Sequence, residues 1–355
     1  MAVSVVGAVS MALLAVQFGL QPILYKEFAA GVTSTSALVV ACELCKLAIA
    51  FVVLAASGEL RGVLKTWELR QSLRASGLPA CTYAVQNVLV QVSYQHLPPI
   101  VFNLVNQTKL LWTALFVFLL LGKRFSALQC VAMLVLLSAA VLLSLAKDSG
   151  RDGDRDSDSA PPASFELGLL PVLLASILSG VGAAITQQSM QVHKRDPALV
   201  TIELSVYGSV FLALPLLWSA LSASLVAGSR RPSAAGAPEG VDTALVASLF
   251  DGWDALTLLP VATNALGGLL VGTVTKHVGG VLKSFALICG IAFTAFVESA
   301  VYGAVLPADV YVAAVLVALS LFLYSAFPYK EPRVAAGVAA AAGAADETAK
   351  AKKTQ

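Results

Sequence analysis

Apolar positions along this chain gather into long continuous runs separated by short polar breaks, with little alternation between the two. A helix rises about 1.5 Å per residue, so about 20 apolar residues are needed to cross a hydrocarbon layer roughly 30 Å thick. Runs of that length can be drawn at 3–25, 33–56, 78–95, 99–121, 126–146, 166–189, 198–218, 253–275, 280–302 and 309–327. The pattern predicts an all-α integral membrane protein with ten transmembrane helices. The first run lacks the marks of a cleavable signal: no Lys or Arg precedes it, and it ends in Gln21-Pro22 without a small-residue cleavage site.

One break differs in kind. Residues 147–163 read KDSGRDGDRDSDSAPPA, a charged Gly/Ser/Pro-containing stretch that offers no apolar surface to pack. It divides the chain into a first five-helix repeat (1–146), a flexible lumenal linker (147–165), a second five-helix repeat (166–328) and an Ala-rich cytosolic tail (329–355). An odd number of helices per half makes the halves enter the membrane from opposite sides, so two inverted five-helix repeats are expected. The overlapping DxD triplets around Asp154 resemble a metal-nucleotide motif, but inside an acidic low-complexity spacer we read them as solvated linker. Residues 219–252 form a second Ala/Ser/Gly-rich loop.

Composition closes off the soluble alternative. Mean hydropathy is +0.82 and 12% of residues are charged, against roughly 25% in soluble domains. A net charge of +2 carries no message about nucleic acid. All five cysteines (42, 45, 81, 130 and 289) fall inside apolar runs, so no disulfide framework is implied, and the Cys42/Cys45 pair lacks a soluble redox fold around it. Lys and Arg are concentrated in alternate loops: Arg61, Lys65, Arg70, Arg74, Lys123, Arg124, Lys194, Arg195, Lys276 and the tail lie on one side. The other side holds Lys26, Lys147, Arg151, Arg155, Arg230 and Arg231. The positive-inside rule then places both termini in the cytosol.

Against this apolar background a few polar residues stand out. Lys109 lies within VFNLVNQTKLLWTALFVFLLL and Lys283 within VLKSFALICGIAFTAFV. A charge in such a segment costs at least ~2.5–3.5 kcal/mol on insertion scales and normally faces a cavity or a partner. Ammonium groups from opposite halves, converging in a partly dehydrated cavity, suit a phosphate or pyrophosphate. The alternative is that each lysine pairs with a carboxylate, Glu43 or Glu203. The polar residues also recur in matched positions. Ala37-Leu38-Val39 leads to Glu43 as Ala198-Leu199-Val200 leads to Glu203, and Asn87 precedes Lys109 by one helix as Asn264 precedes Lys283.

Glu43 and Lys46 are spaced i,i+3 and can neutralise each other on one helix face. Tyr83, Gln86 and Asn87 place a hydroxyl and two amides in the third helix. Amides donate and accept, so they can read a nucleobase edge or ribose hydroxyls, or alternatively bridge helices. Gln107, Thr113, Gln187, Gln188, Tyr207 and Asn264 are candidates for the same reason. Gly180, Gly182, Gly267, Gly268, Gly272 and Gly279-Gly280 allow close helix approach. The three histidines (96, 193, 277) are scattered, and no catalytic triad, metal-ligand spacing or cofactor motif is apparent, so an enzyme is not expected.

At these residues the chain resembles the nucleotide-sugar transporters of the drug/metabolite transporter superfamily, over residues 1–328. The pieces that carry the resemblance are Tyr83-Ala-Val-Gln-Asn87, Asn106-Gln-Thr-Lys109 with the apolar run and Lys123 after it, and Lys276 through Lys283-Ser-Phe285. In the CMP-sialic acid and UDP-galactose branch the positions matching Gln86, Asn87, Lys109, Thr113 and Lys283 contact nucleotide, and Glu43/Lys46 also matches. Two stretches depart from that branch, Phe102-Asn-Leu-Val-Asn106 and Thr186-Gln187-Gln188. The second half looks closer to plant-type UDP-N-acetylglucosamine/UDP-N-acetylgalactosamine transporters, through Gln191-Val192-His193-Lys194, Thr201-Ile-Glu203-Leu-Ser205 and Asn264-Ala-Leu-Gly-Gly268 among others. The ending Lys352-Lys353-Thr354-Gln355 resembles the dilysine signal read by the retrieval coat of the endoplasmic reticulum.

The resemblance implies an antiporter bringing UDP-GlcNAc or UDP-GalNAc into the ER/Golgi lumen in exchange for UMP. CMP-sialic acid or UDP-galactose, or another phosphorylated solute, are the alternatives within the superfamily; a non-transporting membrane scaffold or enzyme is the alternative outside it. The implied partners are the nucleotide sugar, UMP, the lipid bilayer and retrieval coat proteins; a homodimer is compatible with them. The expected site comprises Lys109, Lys283, Gln86, Asn87, Glu43, Lys46, Thr113, Tyr83, Glu203, Tyr207 and Asn264, with no metal and no cofactor.

Overall fold

The computed structural model describes residues 4–149, 165–211, 251–303 and 305–329. The DxD stretch of the linker, most of the 219–252 loop, the end of the seventh run (212–218) and the tail with Lys352 and Lys353 lie outside the described residues. Among the described residues there are helices and turns and no strand.

In chain order the helices are α1 Val5–Phe28, α2 Thr35–Ala56, the short α3 Leu60–Thr66 and α4 Leu69–Ser72, then α5 Leu78–His96. They continue with α6 Pro99–Gln107, α7 Lys109–Leu121, α8 Ala127–Ser149 and α9 Phe165–Gln191. The last four are α10 Pro197–Phe211, α11 Leu258–His277, α12 Gly280–Tyr302 and α13 Ala308–Ala326. Local chemistry sets the ends. The hydroxyls of Ser4 and Ser34 accept from the Gly7 and Ala37 amides, while Gly122 and Gly303 terminate α7 and α12 in the left-handed region that glycine adopts without strain.

Eight helical segments among the described residues are long and apolar enough to cross a membrane. Two of the expected spans fall short for different reasons. α5 has 19 residues, but Gln86, Asn87, Gln91 and Gln95 dilute its apolar character. α10 is described only as far as Phe211. The span expected at 99–121 is interrupted: α6 ends at Gln107, Thr108 forms a turn with its hydroxyl on the Val105 carbonyl, and α7 begins at Lys109.

The largest apolar core joins α7, α8, α12 and α13, where Leu110, Leu136, Phe285 and Ala313 are at most 2% exposed. Two seams cross between the halves. α9, from the second half, is wedged against α5 and α7 of the first. A Cβ on Gly180 would stand 2.7 Å from the Trp112 backbone, and one on Gly182 2.6 Å from the Thr82 hydroxyl. Conversely α1, from the first half, lies on α11 and α12, with a Cβ on Gly19 meeting the Gly290 carbonyl at 2.6 Å. Glycine is required at both seams because the backbones themselves are in contact.

Candidate functional site

Lys109 and Lys283 are brought together by one helix crossing. Gly280, the first residue of α12, packs on α7 at Thr113, its hypothetical Cβ 3.2 Å from the Thr113 methyl. Lys109 lies one turn back from Thr113, and Lys283 one turn on from Gly280. Each lysine is thus about one helical turn, roughly 5–6 Å, from the crossing, and the two are close enough for their charges to interact. Both are half-buried. Among the described residues neither ammonium has a hydrogen bond or an ion pair. Glu43 and Glu203, the carboxylates that could have neutralised them, are committed elsewhere. Both lysines also sit on the first turn of a helix, where the backbone partial charge is positive. Thr113 is buried and donates its hydroxyl to the Lys109 carbonyl, which fixes the start of α7 without using the lysine side chain.

Separately, α2, α5, α10 and α11 enclose a cavity of about 350 Å³ lined by Glu43, Lys46, Tyr83, Asn87, Ser205 and Gly268 among others, with neither lysine of the pair in its lining. The Lys46 ammonium donates to Glu43 at 2.7 Å, the i,i+3 pair expected from spacing. Its alkyl stem lies over Gly268, where a Cβ would approach within 2.9 Å. Asn87 is exposed to this cavity, whereas the Oε1 atom of the neighbouring Gln86 is buried without a hydrogen-bond partner. An orphan acceptor in such a position is costly unless a ligand or water donates to it.

Three of the expected site residues are placed in other clusters. Glu203, 5% exposed, accepts from the Arg195 guanidinium, from Trp67 Nε1 (2.9 Å) and from the Ser76 hydroxyl (2.6 Å). Tyr207 pairs its hydroxyl with that of Ser72 at 2.8 Å in the same region, where the chain from α4 into α5 packs on α10. Asn264 donates to the Tyr25 hydroxyl (3.3 Å), which also meets Cys42 Sγ at 3.4 Å, at the junction of α1, α2 and α11. The repeated motifs are therefore present in both halves, yet their side chains meet different surroundings: Glu43 lines a cavity and Glu203 is enclosed.

A further group joins Gln187, one of the candidate amides, to Gln191, which is not among them. Gln187 accepts the Gly280 amide at 2.8 Å and donates to Gln191 at 2.9 Å; Gln191 also takes a 2.6 Å bond from Lys123 and donates to the carbonyls of Thr275 and Lys276. This glutamine relay ties the ends of α7, α9 and α11 to the start of α12. Its only trace in the sequence is the i,i+4 spacing of Gln187 and Gln191 at the end of an apolar run.

Comparison with known proteins bears on the family of the chain. The family model described as nucleotide-sugar transporter matches residues 5–325. The chain is 38% identical over 317 residues to the UDP-N-acetylglucosamine transporter ROCK1 of Arabidopsis thaliana, covering 89% of this chain and 91% of that one. It is 27% identical over 252 residues to the UDP-N-acetylglucosamine transporter of Mus musculus, covering 71% and 70% respectively. To the UDP-galactose translocator of the same organism it is 27% identical over 248 residues, or 70% of this chain and 57% of that protein. A solved crystal structure superimposes with a TM-score of 0.56 at 13% identity, covering 89% of this chain and 95% of its own, a likeness of fold alone.

Proposed function

The chain belongs to the nucleotide-sugar transporter family, and from that premise we propose that it is a UDP-sugar antiporter taking UDP-N-acetylglucosamine or UDP-N-acetylgalactosamine from the cytosol into the lumen of the endoplasmic reticulum or Golgi in exchange for UMP. The observation that carries this reading is the pair of uncompensated ammonium groups, Lys109 and Lys283, each on the first turn of a helix and each from a different half. Together they hold the phosphates. Gln86, with its unsatisfied carbonyl oxygen, and Asn87, exposed in the cavity, read the nucleoside, while Tyr83, Glu43 and Lys46 shape the walls and Thr113 holds the turn that carries Lys109. The relatives named as UDP-N-acetylglucosamine transporters support the choice of sugar.

In this reading α5 and α10 both span, giving ten helices as two inverted five-helix repeats with both termini in the cytosol. In the polar α5, Gln86 faces protein and Asn87 the cavity, which is where amides in a span are tolerated. Lys352 and Lys353 return the protein to the endoplasmic reticulum through the retrieval coat. Exchange follows from the same charges. Two ammonium groups in a dehydrated cavity resist occlusion without an anion, so the empty carrier reorients slowly and nucleotide must travel in both directions. Proteoliposomes preloaded with UMP are expected to take up labelled UDP-N-acetylglucosamine much faster than empty ones. Equal rates would refute exchange, and no saturable uptake of any UDP-sugar would refute the function.

A further inference from the structure

At the N-terminal end of the bundle the chain forms a second, larger cleft of about 880 Å³, within the range of pockets that take whole small molecules. Its polar lining includes Lys123, Lys194, Lys276 and His277, and no Asp or Glu lines it. The positive charge is spent only lightly. Lys123 bonds the neutral Gln191 at 2.6 Å, and among the described residues the ammonium groups of Lys194 and Lys276 have neither a hydrogen bond nor an ion pair. His277 uses Nδ1 on its own helix, at the Thr273 carbonyl, which leaves Nε2 unbonded. The lysines come from three elements, the turn after α7, the turn after α9 and the end of α11, so their convergence is a product of the fold and not of a basic sequence run.

The cleft also has a direction. Its inner wall reaches Leu282, the neighbour of Lys283, and it is separated from the lysine pair by the Gln187–Gln191 relay. Gln191 Oε1 accepts from Lys123 and Gln187 together, so an anion that draws Lys123 into the cleft takes away one of its two donors.

We propose that this cleft is a second anion site, distinct from the Lys109/Lys283 site, in which Lys123, Lys194 and Lys276 bind a phosphate-bearing group and place it one relay away from the inner pair. Two sources share that chemistry: the diphosphate of an arriving nucleotide, and the headgroup of an anionic lipid. The transporter reading is needed only to name the physiological anion; the binding site stands or falls without it. Concave basic surfaces raise the local concentration of anions and their rate of entry, which gives such a site a role in capture ahead of the inner pair.

The test uses the full chain in phosphatidylcholine nanodiscs with inorganic pyrophosphate as probe, measured by isothermal titration calorimetry. In the Lys109→Ala/Lys283→Ala background pyrophosphate binding is expected to persist. Adding Lys123→Ala, Lys194→Ala and Lys276→Ala is expected to weaken it by roughly 100-fold or more, since each charged contact contributes about tenfold. Loss of all binding in the inner double variant, or unchanged binding after the outer three are removed, would overturn the proposal. The ligand-free melting transition confirms folding, and Lys→Gln replacements take the place of any alanine variant that fails to melt cooperatively. Nanodiscs containing phosphatidylinositol 4-phosphate then separate the sources. Displacement of pyrophosphate by the lipid assigns the site to a headgroup; undiminished binding assigns it to the soluble anion.

Discussion

Lys109/Lys283 and Arg195/Glu203 are both charged clusters inside an apolar bundle, and they solve the cost of burial in opposite ways. Glu203 has a guanidinium, an indole N–H and a hydroxyl around its carboxylate, and the cluster is neutral, with Arg195 Nε buried and without a hydrogen-bond partner among the described residues. The lysines have each other, at like charge, with no counter-ion among the described residues. A neutral closed pair holds a structure together; an uncompensated pair is a request for a ligand of the opposite sign. What distinguishes the two is charge balance: Arg195 and Glu203, 8% and 5% exposed, cancel each other, whereas the half-buried lysines do not.

The comparison can be broken most decisively at the lysines. Lys109→Ala/Lys283→Ala is expected to weaken UDP-N-acetylglucosamine binding by roughly 10²–10⁴-fold, at about 1.5–3 kcal/mol per charged contact, while the ligand-free melting temperature stays level or rises. A fall in that temperature would mean the lysines are structural. Glu203→Gln is expected to do the reverse. It strands a buried guanidinium at a cost of about 3–5 kcal/mol, lowering the ligand-free transition while leaving the shift produced by saturating ligand intact. Replacing both partners with apolar residues of similar volume, Arg195→Met/Glu203→Leu, should recover much of the loss. Failure to recover would assign the cluster a role beyond packing.

Glu43–Lys46 lies between these extremes, with side chains 32% and 19% exposed. Glu43→Gln is therefore expected to cost about 1 kcal/mol or less in stability; its larger effect, read as a raised KM for uptake, would come from the free ammonium it leaves in the cavity. Smallest is the effect at Asp254, an exposed residue at the other end of the molecule. Hydrogen bonds from the Thr257 hydroxyl and amide hold its carboxyl below the usual range. The stabilisation is present above the ordinary carboxylate value and lost as pH falls through the lowered one. Asp254→Asn should flatten that acid limb of the thermal stability profile, with no change at neutral pH in ligand affinity.

The open cluster was legible in the sequence and the closed one was not, for a physical reason. A lysine within an apolar run advertises its cost locally, and Glu43–Lys46 is fixed by helix periodicity alone. The partners of Glu203 just after α3 and in the run before α5, Trp67 and Ser76, are 136 and 127 residues away, so nothing local announces them. The same holds for the glutamine relay, whose acceptors on α11 are backbone carbonyls. Helix positions followed hydropathy closely, with Gly280–Tyr302 matching the expected run end to end. The break at Thr108 did not follow it, because a single turn leaves the apolar run unbroken. Asn264 and Asn87 show the limit of matched motifs: residue and position along the chain recur, but the neighbours that decide a side chain's task come from the rest of the fold.

The glycine seams carry a mechanical consequence. With Gly180 against the Trp112 backbone and Gly182 against Thr82, α9 cannot slide relative to α5 and α7 without steric collision; Gly19 on Gly290 couples α1 to α12 in the same manner. Each half of the chain has thus lent a helix to the other, so that any bodies moving as units in a transport cycle are drawn along those loans and do not divide at the midpoint of the chain.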